Sequence, residues 1–380
     1  MRIALDARTV YSDQWRSTGK NLIDLYCELA SIRPDWQVLA FHRQPGPTKS
    51  RLDQTSIPIH IEMKSDRFDA WQRWRLPTAA WRMGADVLHC PTNGCPTWMS
   101  LPTVVTIHDL IPLDLPTGQS PKVVRQFQQS VQMACRHATQ IITPSGYTRD
   151  RLVRQFEADS KCVTVNPWAA DQSTRKIGQY QKRIVLDRYR IKPPFVLHFG
   201  AAEPRKNTRR LIEAWSMTQG YRHQQFSLLI VGLDDQMRIE LFKQVAQHGT
   251  ADSVQLHQLA NEADLPTLLS AADVLAYPSL SEGFGLPILN AWATGTAVLT
   301  STTTSLPEVA GDAAVLVDPT DTCAIAGQLG RLMQDLKLRH KLMTAGRRRL
   351  SRFTWRATAE RFARVIETAA GETTEMKAAA

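Results

Sequence analysis

The chain has 380 residues, of which 43% are hydrophobic and 22% are charged, so it is long enough to form two globular domains. No apolar run approaches the roughly 18 residues that a membrane-spanning helix needs, and an acid at position 6 argues against a secretory signal peptide. The six cysteines include no Cys-x-x-Cys pair, which argues against a zinc site or redox pair and favours reduced thiols in the cytoplasm.

Positive charge is concentrated in the first half of the chain. Residues 1–190 carry 26 Lys and Arg against 17 Asp and Glu, a net charge of +9. Residues 191–380 carry 20 against 19, a net charge of +1. A basic half favours an anionic partner such as a membrane surface or a phosphorylated acceptor. Nucleic acid is not expected as a partner, because no nucleic-acid-binding motif accompanies the charge.

Short apolar runs alternate with helical patterns along the first half, and they predict strands at 2–7, 86–91, 103–109, 139–143 and 163–165. Ser17-Thr18-Gly19-Lys20 predicts a loop ahead of an amphipathic helix. Gly19 would let a backbone N–H approach a phosphate there, although a plain turn explains one glycine equally well. His108 and Asp109 follow a nearly all-apolar strand, at the edge where doubly wound sheets bind ligands.

The segment 67–82 combines three Trp with four Arg. Both residue types are common where a helix lies on a membrane surface, so this segment is one candidate for membrane contact. The alternative is a core helix whose arginines are solvated, and Pro77 interrupts any long amphipathic helix.

The second half repeats the alternation of strands and helices, which predicts an α/β protein with parallel sheets. Residues 171–192 are polar and predict a linker with a connecting helix. A buried strand then ends at Gly200, and Arg205 and Lys206 follow just before a helix. An arginine fork and a lysine point charge at this place are well suited to bind a diphosphate.

The stretch 279–319 is the most informative part of the chain. A strand at 274–277 leads into a loop in which Gly283 and Gly285 allow a ligand to come close to the backbone. Pro287 marks the first turn of a helix, and the N–H groups of that turn attract anions. Glu282 therefore lies beside a predicted anion-binding helix N-terminus.

The sequence Ser281-Glu282-Gly283-Phe284-Gly285-Leu286-Pro287 resembles the donor-site signature of retaining glycosyltransferases of family 4. The resemblance is loose over 1–170 and close over 195–319. It implies the GT-B fold, an α/β fold in which two Rossmann-like, doubly wound parallel-sheet domains face a cleft. The implied organisation is an acceptor-side domain at 1–170, a linker at 171–192, a nucleotide-sugar domain at 193–353, and a helix at 354–372 that packs back on the first domain.

The resemblance also implies a role for each motif. Glu282 would hold hydroxyls of the donor sugar, and His108 would contact the sugar. The donor diphosphate would be bound by Arg205 and Lys206, with backbone groups of Gly19, Gly283, Phe284, Gly285 and Leu286. Asp109 and Gly200 would line the cleft.

Asn290 departs from the family pattern, in which a second glutamate binds the two ribose hydroxyls. A carboxylate accepts both hydrogen bonds, whereas an amide accepts one and must place its NH₂ group elsewhere. The replacement is expected to cost ~1–2 kcal/mol, or roughly tenfold in donor affinity.

The function implied is retaining transfer of a hexose, with mannose favoured, from a nucleotide-diphosphate sugar to a growing polysaccharide or lipid-linked oligosaccharide. GDP-mannose is the first expected donor and a UDP-sugar the second; the acceptor is a carbohydrate or a lipid diphosphate. No metal or other cofactor is expected, because the chain contains no Asp-x-Asp triplet. The expected location is the cytoplasm, with peripheral contact to the inner membrane surface through the basic first domain.

Two alternatives remain open. Asn290 is compatible with a non-catalytic GT-B subunit that scaffolds or activates a partner enzyme. A sugar phosphorylase or sucrose-type synthase on the same fold would differ only in its acceptor.

Overall fold

A computed structural model describes residues 1–11, 17–43, 50–61, 71–96, 101–116, 119–172, 174, 177–200, 203–218, 226–258 and 261–378. The chain forms two compact units. The first comprises Met1–Asp171 and Phe353–Ala380, and the second comprises Gln172–Arg352.

The first unit is built on a parallel sheet with the order β3-β2-β1-β4-β5-β6-β7 among its described residues. Its strands are β1 (Arg2–Asp6), β2 (Gln37–His42), β3 (Ile57–His60), β4 (Val87–Cys90), β5 (Thr103–Thr106), β6 (Gln140–Thr143) and β7 (Val163–Val165). Every residue of β4, β5 and β6 is buried, as expected for central strands of a parallel sheet that is covered on both faces. Strands β2 and β3 were not predicted from the sequence.

The helices described in this part of the first unit are α1 (Ser17–Ile32), α2 (Leu76–Arg82), α3 (Ile111–Asp114), α4 (Pro121–His137) and α5 (Gly146–Phe156). A π-helical turn, Trp71–Arg75, precedes α2, and 3₁₀ turns lie at Arg51–Gln54 and Ser160–Cys162. Ser145 caps α5 by accepting a hydrogen bond from the N–H of Thr148 at 3.2 Å.

The prediction of a loop at residues 17–20 is wrong, because these residues form the first turn of α1. A Cβ atom on Gly19 would lie 2.4 Å from the carbonyl oxygen of Thr9, in the segment after β1. Glycine is therefore required here for close packing of the helix on that segment, which is a different reason from a glycine-rich loop.

The second unit also has a parallel sheet, with the order β10-β9-β8-β11-β12-β13 among its described residues. Its strands are β8 (Phe195–Phe199), β9 (Ser227–Leu233), β10 (Val254–Gln258), β11 (Val274–Tyr277), β12 (Ala297–Ser301) and β13 (Val315–Val317). The order reverses between β8 and β11, so the crevice at the carboxyl ends of these two strands is the expected ligand position in a doubly wound sheet.

The described helices of the second unit are α6 (Gln179–Arg188), α7 (Thr208–Ser216), α8 (Asp235–Gln247), α9 (Leu265–Ala271), α10 (Leu286–Thr294), α11 (Leu306–Ala310), α12 (Thr322–Gln334) and α13 (Leu336–Leu350). Short 3₁₀ turns lie at Pro204–Lys206 and Glu262–Asp264. As the sequence indicates, α10 has a proline in its first turn and ends at Gly295, whose φ is 80°.

Residues 171–192, predicted as a linker with a connecting helix, contain helix α6, and the second unit begins at Gln172. Helix α6 packs on α9, and Val185 is fully buried there. Arg188 donates to the carboxylate of Asp264 at 2.6 Å, and Tyr189 donates to the same oxygen at 3.1 Å. The polar composition of this segment therefore belongs to the outer face of a packed helix.

The last helix, α14 (Trp355–Ala378), belongs to the first unit although the whole second unit precedes it in the sequence. It packs against α1, and the ring of Phe362 lies 5.5 Å from that of Tyr26 and 4.9 Å from that of His89. Thr358 donates its hydroxyl to the carbonyl of Pro167 at 2.7 Å. The C-terminal segment thus completes the core of the first unit.

The core of the second unit contains a buried, neutral histidine, His198. In β8, His198 Nδ1 lies 2.8 Å from the carbonyl oxygen of Ala276, and Nε2 lies 3.0 Å from the hydroxyl of Thr208. Because a carbonyl can only accept, Nδ1 carries the proton and Nε2 accepts from Thr208. Burial, together with the nearby charge of Lys206, lowers the pKa of His198 from 6.5 to about 4.

This shift predicts an acid-sensitive core. The unfolded chain takes up a proton on His198 below its ordinary pKa, whereas the folded chain does so only near pH 4, so stability is lost as the pH falls from 6.5 towards 4. The loss from this group between pH 7 and pH 5 is about 2 kcal/mol. Chemical denaturation at both pH values should show a smaller pH dependence in His198→Gln than in the wild type. The variant His340→Gln, at an exposed histidine on α13, should keep the wild-type dependence; equal slopes in all three proteins would contradict the assignment.

Candidate active site

Three charged side chains meet at the carboxyl ends of β8 and β11. One carboxylate oxygen of Glu282, Oε1, accepts from Arg205 Nη1 at 2.7 Å and from Lys206 Nζ at 2.9 Å. Lys206 Nζ also contacts the hydroxyl of Tyr277 at 3.1 Å and lies 4.9 Å from the centre of its ring. The two cations and the carboxylate predicted from the sequence are therefore in direct contact.

The sheet explains why residues so far apart in sequence meet. Strands β8 and β11 are parallel neighbours, with Val196 opposite Val274, so the loops that follow them leave the sheet at the same edge. The N–H of Leu280 donates to the carbonyl of Arg205 at 2.7 Å, which ties the two loops together. Asn207 donates from its side chain to the carbonyl of Pro278 at 2.9 Å.

The loop that carries Glu282 is held through its backbone by the segment after β12. The N–H of Glu282 donates to the hydroxyl of Thr304 at 3.2 Å. Ser305 lies within hydrogen-bonding distance of the carbonyls of Glu282 and Phe284, at 2.8 and 3.0 Å. The backbone of this loop is thus fixed independently of the Glu282 carboxylate.

The electrostatics of the group keep Glu282 ionised. Its side chain is only 10% exposed, and burial alone would raise the pKa of the carboxyl, but Lys206 and Arg205 outweigh burial and hold the pKa below its ordinary value. Burial also lowers the pKa of the Lys206 ammonium, an effect that Glu282 partly offsets. Glu203 binds Arg205 as well, from the solvent side.

The segment from Gly283 to Leu286 continues from this cluster into the N-terminus of α10. Gly285 is the residue before the helix, and its φ of 114° is in the region that favours glycine. Pro287 in the first turn has no N–H, and the N–H of Ile288 donates to the carbonyl of Gly285 at 3.0 Å. The expected attraction for an anion therefore rests on the positive end of α10 and on the loop before it. Asn290 lies on the same partly exposed face of α10 as Leu286, about one turn further along.

Of the remaining predicted site residues, Gly200 belongs to the second unit. It packs where β8 and β9 end, since a Cβ on Gly232 would lie 2.7 Å from the carbonyl oxygen of Gly200. Gly19, His108 and Asp109 belong to the first unit. The N–H of Ile111 donates to the carboxylate of Asp109 at 3.1 Å, so Asp109 helps to begin α3.

His108 follows β5, and its imidazole lies close to the indole of Trp168, with ring centres 5.8 Å apart. Its Nε2 donates to the carbonyl of Pro91 at 2.8 Å. Burial lowers the pKa of His108, an effect that this hydrogen bond partly offsets, so the ring is neutral near pH 7. With the proton fixed on Nε2, the other ring nitrogen, Nδ1, is an acceptor.

Comparison with known proteins identifies the family. The model for glycosyl transferases group 1 matches residues 187–349, and the model for glycosyltransferase family 4 matches residues 21–173. The chain is 30% identical over 254 residues to O-antigen chain mannosyltransferase B of Escherichia coli. The chain belongs to the group 1 glycosyltransferases. The match covers 66% of this chain and 66% of that relative, just under two thirds of its length.

Solved structures place this group 1 glycosyltransferase in the GT-B fold. The sucrose-phosphate synthase from Thermosynechococcus elongatus aligns over 100% of both chains with a TM-score of 0.75 at 20% identity. Anabaena HepE in complex with UDP and glucose aligns over 96% of this chain and 99% of its own, with a TM-score of 0.74 at 19% identity. The predicted fold class, two Rossmann-like parallel-sheet domains, is confirmed.

Sequence reasoning missed several residues of the cluster. Tyr277 was assigned only to a buried strand, although it is the last residue of β11 and contacts Lys206. The available signal was a lone tyrosine at the carboxyl end of an otherwise aliphatic strand. Glu203 and Thr304 carried no such signal, because only the folded chain brings them to Arg205 and Glu282.

The loop geometry makes Gly285 sensitive to substitution. In Gly285→Ala the alanine would have to adopt a φ that is unfavourable for residues other than glycine, and its Cβ would lie 2.9 Å from the side chain of Leu306. We expect a loss of about 1–3 kcal/mol in stability, measured by chemical denaturation. The matched control is Gly327→Ala in α12, where a Cβ meets nothing within 4 Å, and which should be neutral or stabilising. Equal stabilities of the two variants would contradict this account.

Proposed function

We propose that this group 1 glycosyltransferase moves a hexose, with mannose as the first candidate, from a nucleoside-diphosphate sugar to a carbohydrate acceptor. The observation that carries the proposal is the contact of Arg205 and Lys206 with one buried carboxylate, Glu282, at the ligand-binding edge of the second sheet. The similarity to an O-antigen chain mannosyltransferase favours mannose and a growing polysaccharide or lipid-linked oligosaccharide.

The chemistry follows from the charges. Cleavage of the bond between the sugar and the diphosphate leaves negative charge on the diphosphate and positive charge on the sugar. Arg205, Lys206 and backbone N–H groups in the 283–286 segment would stabilise the first charge, and preorganised charge of this kind is often the largest catalytic contribution. We expect no metal requirement, because the two side-chain cations supply this charge. Retention is expected by a same-face route without a sugar bound covalently to Glu282.

His108 is the second proposed catalytic residue. Its neutral ring presents Nδ1 as an acceptor, which suits a hydroxyl group of the donor sugar. We propose that His108 binds such a hydroxyl and does not act as a proton donor at Nδ1. Gly19, Asp109 and Gly200 stay predicted site residues on the strength of the family resemblance.

Two alternatives, a non-catalytic GT-B scaffold and a sugar phosphorylase or synthase, can be distinguished from the proposed function. A non-catalytic scaffold is compatible with Asn290, yet Arg205, Lys206 and Glu282 are all retained and in contact, which favours the enzyme. A phosphorylase or synthase would use the same donor chemistry with inorganic phosphate or a free sugar as acceptor. An activity assay that includes these two acceptors separates it from the polysaccharide reaction.

Membrane contact is proposed for a surface of the first unit that we call the Trp–Arg face, defined by Arg73, Trp74, Arg75, Trp81 and Arg82. Trp74 is 56% exposed and Trp81 is 64% exposed, whereas Trp71 is fully buried. Trp71 therefore fits the core-helix alternative, whereas Trp74 and Trp81 fit the membrane-surface alternative. Residues 67–70 of this segment lie outside the described part of the chain. None of the helices described is long and apolar enough to cross a bilayer, so the proposal is peripheral contact of a cytoplasmic protein with an anionic inner surface.

The donor proposal predicts binding of one nucleotide family without added metal. A thermal-shift panel should contain GDP, UDP and ADP with their common sugars; GDP-mannose is expected to stabilise the protein and a UDP-sugar is second. At a hundred times its dissociation constant a ligand adds ~2.7 kcal/mol. Lys206→Ala should abolish the shift. Absence of any shift in the wild type and in Asn290→Glu would overturn the donor-site proposal.

Asn290→Glu provides a separate prediction. Restoring a carboxylate that accepts both ribose hydroxyls should tighten the binding of the preferred nucleotide by roughly tenfold, measured by calorimetry. Asn290→Ala should weaken it. Binding that appears only in the glutamate variant would instead favour the non-catalytic scaffold.

The Trp–Arg face predicts binding to anionic vesicles at low salt. Trp74→Ser combined with Trp81→Ser should reduce the affinity by at least roughly tenfold, because each buried indole contributes ~1.5 kcal/mol or more. The control is Tyr180→Ser, an 80% exposed aromatic residue of the second unit, which should bind as the wild type does. Failure of the wild type to sediment with anionic vesicles would reject the membrane contact.

A further inference from the structure

In the cluster of Glu282, Arg205 and Lys206, the Glu282 carboxylate contacts the two cations that are proposed to bind the donor diphosphate. Glu282 Oε1 is 2.7 Å from Arg205 Nη1 and 2.9 Å from Lys206 Nζ. A phosphate oxygen forms the same charge-assisted contacts at such distances. Both cations therefore already have an anionic partner within the protein.

We propose that Glu282 holds Arg205 and Lys206 as a stand-in for the donor diphosphate until the donor binds, and that the diphosphate then displaces it. The proposal rests on the donor site proposed above and concerns its specificity. The Glu282 carboxylate then becomes available to sugar hydroxyls only when a diphosphate has taken over the two cations. The site would thus accept a sugar that carries a nucleoside diphosphate and reject a free sugar.

Each cation has a second partner that keeps it in place during the exchange. Tyr277, which is 1% exposed, holds Lys206 Nζ through its hydroxyl and through the face of its ring. Glu203 keeps its contact with Arg205. When Glu282 leaves, neither cation therefore loses its position at the edge of the sheet.

The backbone around Glu282 also permits the exchange. Its N–H is bound by Thr304 and its carbonyl by Ser305, so the main chain stays fixed while the side chain turns. The displaced carboxylate is then buried without its two cations, which is unfavourable unless other donors replace them. Hydroxyls of the transferred hexose are such donors. A nucleoside diphosphate without the hexose has only its ribose hydroxyls, which the proposed site places at Asn290 and not at Glu282.

Because the Glu282 carboxylate and the diphosphate compete for the same two cations, we expect a mutation of Glu282 to tighten the binding of the diphosphate. In Glu282→Gln the side chain no longer competes as an anion, so a nucleoside diphosphate should bind about tenfold more tightly than to the wild type. The corresponding nucleotide sugar should lose its affinity advantage over the free nucleoside diphosphate. Calorimetry with GDP, and with UDP if GDP does not bind, measures both at pH 6.5. A pH below neutrality is chosen because burial lowers the pKa of the Lys206 ammonium, and the loss of Glu282 removes an interaction that raises it.

The matched control is Glu360→Gln, which makes the same chemical change in an exposed ion pair with Arg356 on α14. Its affinity for the nucleoside diphosphate should stay within about twofold of the wild type, because a surface pair of this kind contributes little. Unchanged or weaker binding in Glu282→Gln would overturn the proposal. If GDP, UDP and ADP all fail to bind the wild type, the proposed donor site itself is wrong, which is a distinct outcome.

A second measurement uses only the wild type and does not depend on the folding of a variant. Saturation-transfer NMR should detect mannose, or glucose if UDP is the preferred nucleotide, on the protein only after the nucleoside diphosphate has been added. The same sugar signal without the nucleoside diphosphate would contradict the exchange, because Glu282 would then be available while its cations are still bound.

Discussion

The second unit depends on one ionic contact, in which a buried glutamate is shared by an arginine and a lysine at the switch point of a parallel sheet. The contact exists because β8 and β11 are neighbours, although two of the described strands and three of the described helices lie between them in sequence. The surrounding structure supports it: Asn207 links the loop after β8 to the loop after β11, and Ser305 and Thr304 hold the backbone that carries Glu282. These contacts keep the three charges together although their side chains are only 10–19% exposed.

Burial of the charged groups destabilises each of them singly, and it also strengthens their interaction with an anionic ligand. An isolated buried carboxylate would protonate, and an isolated buried ammonium would lose its proton. Here each charge opposes that change in the other, and Tyr277 adds a hydroxyl that contacts the ammonium. A site of this kind is ready for a ligand with more negative charge than one carboxylate, which is what a nucleoside diphosphate provides.

The first unit has a different character. Its candidate histidine is neutral, with one nitrogen bound to a backbone carbonyl, so His108 offers hydrogen bonding and no charge. Its surface carries exposed indoles beside arginines, and the proposed membrane contact rests on this combination. The core of this unit is completed by α14, so truncation of the C-terminus would expose Tyr26 and His89.

The sequence by itself determined the alternation of strands and helices, the limits of α10 and the family, because these depend on local patterns and on a contiguous motif. It also indicated Arg205, Lys206 and Glu282 as separate candidates. Their contact was decided by the tertiary structure, since it joins residues 76 and 77 positions apart, and so were the partnership with Tyr277 and the packing of Gly19 on Thr9. The packing of the polar segment 171–192 was also decided by the tertiary structure, because a helix that packs on one face is polar on the other. Composition could not separate the buried Trp71 from the exposed Trp74, because only the fold decides which side of a helix meets the core.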